Sequence, residues 1–250
     1  MIEISINKIN KNYGFNPVLK DFSMEVKSGE RIALIGSNGC GKTTTLRLIM
    51  GLETIDNGTI NIRKGTKIGY LTQIPPKEKD NIKAKDVYLR GIKELLDLED
   101  SINSYVSTMD SSEKSIKTLD RLQEEFRIKG GYQIKEKINK IKGGFKLSDE
   151  LLDTEYNNLS GGEKTIVNLA SLVLSEPDVL LLDEPTNHLD PITQTLIAKN
   201  FKEYDGTIIL VSHNKNFIEN IGINRILLLP SGKIINYKEE VLDDYCKKQG

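Results

Sequence analysis

Cysteine and long apolar runs are both scarce in this chain, and each scarcity removes a class of protein. Only two cysteines, Cys40 and Cys246, occur in 250 residues, so no disulfide framework holds the fold. With no signal-peptide pattern at the amino terminus, that usage points to a reducing, cytoplasmic setting. No apolar run approaches the roughly 20 residues that cross a bilayer as a helix, so direct membrane insertion is not expected. Charge of one sign is missing too: 35 Lys and Arg meet 36 Asp and Glu for a net −1, and a nucleic-acid partner would have to be met locally. What remains is an ordinary globular composition, 38% hydrophobic and 28% charged, long enough to bury a sizeable core in one large domain or two small ones.

Against that background stands Gly36-Ser37-Asn38-Gly39-Cys40-Gly41-Lys42-Thr43-Thr44. The spacing is G-x-x-x-x-G-K-[ST]. It follows the strand-like run Ile32-Ala33-Leu34-Ile35 and precedes a helical stretch ending at Gly51, the context that turns a glycine pattern into a phosphate-binding loop. Glycines let backbone N–H groups turn inward on anionic oxygens, and the helix opening after Lys42 adds the positive end of its dipole. Lys42 is expected to reach the β- and γ-phosphates, and Thr43 to ligate a bridging Mg²⁺.

The flanking segments read as follows. Residues 2–9 alternate apolar and polar side chains as a half-buried antiparallel strand does, and 18–26 resume the alternation after Tyr13-Gly14. Tyr13 is either a face for a purine to stack on or an ordinary tyrosine at a strand end. Asn57-Gly58 reads as a turn between two short strand-like runs. Gln73 closes a strand just before Pro75-Pro76 and is either a ligand of metal or water or a plain surface residue. Between Lys114 and Lys146 ten Lys or Arg face four acids, on two runs whose apolar positions (Ile116, Leu119, Leu122, Phe126; Ile134, Ile138, Ile141, Phe145) fit amphipathic helices. Those charges are either solvated helix faces or a surface for RNA phosphates. Ser160 and Glu163 form a capping box, and Gly161-Gly162 leave a helix terminus able to receive an anion.

Val179-Leu180-Leu181-Leu182-Asp183-Glu184 is an apolar strand ending in two carboxylates. Asp183 is expected in the shell of the Mg²⁺, and Glu184 as the group that orients or deprotonates the attacking water. Asp190-Pro191 caps a helix. Thr207 to His213 is another buried strand that delivers one of the chain's two histidines to the same edge. The other, His188, is assigned no catalytic role. Arg225 to Tyr237, turning at Pro230-Ser231-Gly232-Lys233, reads as a hairpin, and Val241 to Gly250 as the start of a helix.

In that order these segments resemble the ATP-binding cassette (ABC) ATPases over essentially the whole chain. The resemblance makes Tyr13 the adenine-stacking aromatic, Gly36 to Thr43 the Walker A loop, Gln73 the Q-loop, Leu159 to Glu163 the signature, Val179 to Glu184 the Walker B strand, Asp190 the D-loop and His213 the switch histidine. It implies ATP and Mg²⁺ as cofactors, with catalysis by Glu184, His213, Gln73 and Lys42, and the metal held by Thr43, Gln73 and Asp183. Nucleotide contacts would come from Tyr13, Gly36, Ser37, Asn38, Gly39, Cys40, Gly41, Lys42, Thr43, Thr44 and Asp190, and, across a head-to-tail pair of cassettes, from Ser160, Gly161 and Gly162. The fold implied is α/β, a P-loop core with a mostly parallel sheet, an antiparallel β subdomain and a helical insertion. Residues 1–250 would form one ABC ATPase domain, with 1–73 and 159–250 as the nucleotide-binding core and 74–158 as a helical subdomain. The run Asp183-Glu184-Pro185-Thr186-Asn187-His188-Leu189-Asp190 and the basic insertion look like the ABC-F branch, which works on ribosomes. ABC-F proteins hold two cassettes, so the partner implied is a second cassette, from a missing carboxy-terminal half or another copy, with the ribosome met through 114–146. The alternative is the ATP-binding subunit of a membrane transporter.

Overall fold

The computed structural model describes residues 1–238, 240 and 241, and the expected helix beyond Val241, with Cys246, lies outside them. The chain divides into two compact units, Met1–Lys77 with Glu176–Gly250, and Glu78–Ser175.

The first unit opens with two long strands, β1 (Ile2–Tyr13) and β2 (Asn16–Lys27), paired antiparallel. Alternation drives them inward: Ile4 and Ile6 are buried, but the next buried side chain is Ile9, three residues on. That slip is a bulge in the register between Ile6 and Ile9, where Lys8 takes a left-handed φ of 45°. Next come β3 (Arg31–Ile35), α1 (Lys42–Ile49), β4 (Asn57–Ile62) and β5 (Ile68–Leu71). β4 pairs with β1, giving the order β2-β1-β4. Here the structure corrects the sequence. Asn57-Gly58 is not a turn between strands but the first two residues of β4. Gly58 has φ 95°, and a Cβ there would stand 2.5 Å from the Lys8 carbonyl oxygen. The glycine serves the close approach of two backbones at the β1 bulge, which a local turn signal cannot be told from.

The second unit holds α2 (Ala84–Leu89), α3 (Lys93–Thr108), α4 (Glu113–Ile128), α5 (Ile134–Gly144), α6 (Asp149–Asp153) and α7 (Gly161–Leu174). Ser112 and Ser148 cap α4 and α6, and the box of Ser160 with Glu163 caps α7. α4 and α5 are the two amphipathic helices expected from spacing. Phe126, Ile134 and Phe145 are buried, but Ile116 stays 47% exposed, so the apolar stripe of α4 is covered only toward its carboxyl end. The basic excess lies on solvated faces and is partly answered there: Lys117 meets Glu113, Arg127 meets Glu124 and Lys129 meets Glu125 along α4, while Lys135 meets Glu99 and Lys142 meets Asp149.

The chain then returns to the first unit with β6 (Val179–Asp183), α8 (Pro191–Lys202), β7 (Thr207–Val211), α9 (Lys215–Ile221), β8 (Arg225–Leu228) and β9 (Lys233–Asn236). Its second sheet runs β5-β6-β7-β3-β8-β9, parallel up to β8, with β9 the antiparallel arm of the expected hairpin. Every residue of β6 and β7 is buried, as strands covered on both faces require. Each such Leu, Ile or Val contributes on the order of 1.5–3 kcal/mol. Because β3, β6 and β7 are parallel and in register, Ile35, Asp183 and Val211 all end at one edge. No helix among the described residues is long and apolar enough to cross a membrane.

Candidate nucleotide site

The loop after β3 is shaped by what its glycines permit. A Cβ at Gly36 would lie 2.4 Å from Cys40 Sγ and 2.6 Å from the Leu229 carbonyl oxygen, and Gly39 and Gly41 sit at φ 79° and 101°. Gly41, the residue preceding α1, offers no side-chain cap, so the helix presents its first backbone N–H groups to the cleft. Lys42 is nearly buried, and its Nζ crosses the loop to donate to the carbonyl oxygens of Gly36 at 2.7 Å and Ser37 at 3.1 Å.

β6 supplies the acids. Thr43 Oγ1 donates to Asp183 Oδ1 at 3.2 Å, while Asp183 Oδ2 is buried without a hydrogen-bond partner. Burial pushes the Asp183 carboxyl up, against the Thr43 bond, the Lys42 charge and the nearby Tyr70 hydroxyl. An orphaned buried carboxylate oxygen beside a threonine hydroxyl suits a small divalent cation that takes its other ligands from phosphates and water. Glu184 leaves the strand with a left-handed φ of 51°, which turns its carboxylate aside at a cost of roughly 1–3 kcal/mol. Burial raises its pKa and Asp183 adds to the rise, while the His213 backbone N–H opposes it. His213 Nε2 lies 3.1 Å from Glu184 Oε1, and the His213 backbone N–H donates to Oε2 at 3.4 Å. Burial, and then the Lys42 charge, lower the His213 pKa, which favours the neutral ring.

These groups line one cleft of about 1090 Å³. Of the residues expected from sequence, Asn38, Gly39, Gly41, Lys42, Thr43 and Thr44 border it from the loop, Tyr13 from the end of β1, and Gln73, Asp183, Glu184 and His213 from the strand edge. Gly36, Ser37 and Cys40 shape the loop without bordering the cleft. Asp190 does not border it either. Its carboxylate caps α8 by accepting from the N–H groups of Ile192 and Thr193, both at 3.0 Å. Ser160, Gly161 and Gly162 belong to the second unit, where Ser160 Oγ accepts from Glu163 N at 3.3 Å and Glu163 Oε2 from Ser160 N at 2.8 Å. Asn16, Val18, Thr186, Gln194 and Asn214 border the cleft with no role foreseen. Gln194 and Asn214 form an amide pair: Asn214 Nδ2 donates to Gln194 Oε1 at 2.6 Å, and Gln194 Nε2 donates to the Leu189 carbonyl at 2.9 Å. No motif announces that pair, because its members stand 20 residues apart, Gln194 in the first turn of α8 and Asn214 at the cap of α9.

A glycine loop between strand and helix, with acids at the carboxyl edge of a parallel sheet, defines a P-loop nucleotide-binding fold. A family model described as ABC transporter matches residues 19–187, and the chain belongs to that ATP-binding cassette family, an ATPase domain family that binds ATP. Its relatives include ABC-F proteins. The chain is 31% identical over 236 residues to the Energy-dependent translational throttle protein EttA of Mycobacterium tuberculosis, covering 94% of this chain and 42% of that one. It is 36% identical over 220 residues to the ATP-binding protein Uup of Buchnera aphidicola, covering 88% and 31%. The chain thus spans less than half the length of these curated relatives. Among solved structures it resembles a dimeric post-hydrolysis state of an ATP-binding cassette bound to ADP and Pi, with a TM-score of 0.67 at 21% identity over 94% of this chain and 99% of that one, a likeness of fold.

Proposed function

We propose that residues 1–250 work as one ATP-hydrolysing cassette of ABC-F type, whose closure on a second cassette couples to the ribosome. The observation that carries the hydrolytic part is the convergence of Lys42, Thr43, Asp183, Glu184 and His213 on one cleft. Lys42 Nζ, held by two loop carbonyls, is placed to exchange them for phosphate oxygens. Thr43 and Asp183 would hold Mg²⁺, with Gln73 as a further ligand, and the ion would supply neutralisation of phosphate charge there. Glu184 takes a proton from the attacking water, and burial raises its affinity for that proton. His213 Nε2 stands 3.1 Å from Oε1, and Oε2, which accepts the 3.4 Å backbone bond, is the oxygen assigned to receive the proton. Tyr13 stacks on the base, and Ser160, Gly161 and Gly162 close on the nucleotide of the opposite cassette, whose interface Asp190 joins.

The ribosomal part is supported by the translational role named for EttA and by the basic faces of α4 and α5. Its test is Glu184→Gln with ATP: hydrolysis should cease, nucleotide binding should persist, and the complete gene product should sediment with ribosomes in a salt-sensitive way. No ribosome association in the trapped state would refute the ABC-F role while leaving the ATPase standing. A second reading, the ATP-binding subunit of a transporter, is favoured by the description of the matching family. It requires co-purification with an integral membrane protein.

A further inference from the structure

Lys11 is an unusual strand residue. It lies on β1, is 7% exposed, and sends its Nζ to the Thr54 carbonyl oxygen at 2.8 Å and to Glu53 Oε2 at 3.4 Å. Glu53 in turn is held from the other side by Arg47 of α1, at 3.2 Å. Nothing in the phosphate chemistry uses this lysine. Its ammonium stands 5.0 Å from the centroid of the Tyr13 ring, and Tyr13, 45% exposed, borders the cleft.

We propose that Lys11 is a positioning residue for base recognition: its anchored ammonium covers one face of Tyr13 and presents the other to the nucleobase. The inference rests on the reading of the cleft as an ATP site. A cation over an aromatic face is attracted to the electron density there. Held by Thr54 and Glu53, it fixes the ring's orientation before ligand arrives, so little freedom is lost on binding. The same charge draws density from the ring and lessens repulsion between the ring and a base stacked on its far face. Stacking on a single ring favours a nucleobase over none but discriminates poorly among bases, since each has a π face.

The experiment compares ATP with inorganic tripolyphosphate, which keeps the phosphate contacts and lacks the base, by titration calorimetry. Lys11→Met keeps the aliphatic stem. It should raise the Kd for ATP about fivefold, leave that for tripolyphosphate unchanged, and be largely reversed in Lys11→Arg. In a Tyr13→Leu background Lys11→Met should have no further effect. Should Lys11→Met fold poorly, Glu53→Gln, outside the cleft, keeps the question open: loosening the ammonium must weaken ATP alone. Equal weakening of both ligands would make Lys11 a mere scaffold and overturn the proposal, as would no change for ATP, or additivity with Tyr13→Leu. A wild-type chain that binds no ATP would overturn the nucleotide reading itself; ATP binding that Lys11→Met leaves untouched overturns this inference alone.

Discussion

As the proposed acceptor of the water's proton, Glu184 would have to be ionised, yet burial favours its neutral form. Hydrolysis should therefore fall as pH drops through a Glu184 pKa lying above the ordinary glutamate value, and a kcat–pH profile will show the acid limb displaced upward. Glu3 presents the opposite case. It is 2% exposed, and although burial alone would raise its pKa, hydrogen bonds from Ser28, Thr66 and Arg63 outweigh that and lower it. A folded-state pKa below the unfolded one adds stability above the unfolded value, and this is lost as pH falls through the folded one. Urea unfolding of Glu3→Gln should show a loss of about 2 kcal/mol at neutral pH that shrinks as the solution is acidified below the glutamate range.

At the scale of elements, the cleft depends on how loops are fastened to the helices behind them. Asn214 caps α9 by accepting from Phe217 N at 3.0 Å, and through Gln194 of α8 it reaches the Leu189 carbonyl in the loop that follows Glu184. Gln194→Leu leaves the Asn214 amide without its acceptor. The expected result is a fall in kcat of about tenfold, near 1.4 kcal/mol, with the ATP Kd little changed. The loop after β3 has less slack. Gly36→Ala sets a methyl against Cys40 Sγ and the Leu229 carbonyl, the latter rigid backbone at 2.6 Å. ATP and tripolyphosphate affinity should be lost together in that variant, with far-UV circular dichroism preserved; unchanged binding would show that the loop yields.

For the whole molecule, the capped helix terminus at Ser160-Gly161-Gly162 belongs to the second unit and the phosphate loop to the first. If two copies pair head to tail as proposed, with this terminus of one on the nucleotide of the other, the Glu184→Gln chain should be monomeric without nucleotide and dimeric with ATP. Sedimentation velocity decides this, and a monomer at saturating ATP would assign the role of partner to a different cassette.

The residue order alone determined the glycine loop between β3 and α1, the apolar strand that Asp183 ends, the capping box at Ser160, the hairpin of β8 with β9 and the amphipathic helices α4 and α5. Each rests on backbone or capping needs met within a few neighbouring residues, which is why each is legible. The Asn57-Gly58 turn was misread because glycine serves a turn and a close backbone approach equally well, and only the bulge of β1 at Lys8 separates the two. Tertiary structure alone decided that Gln194 meets Asn214 and that Lys11 lies over Tyr13 and against Glu53. The Gln194–Asn214 and Lys11–Glu53 contacts join residues far apart in the chain, brought together by how strands and helices pack, and no local spacing encodes which side chains that packing will bring into contact.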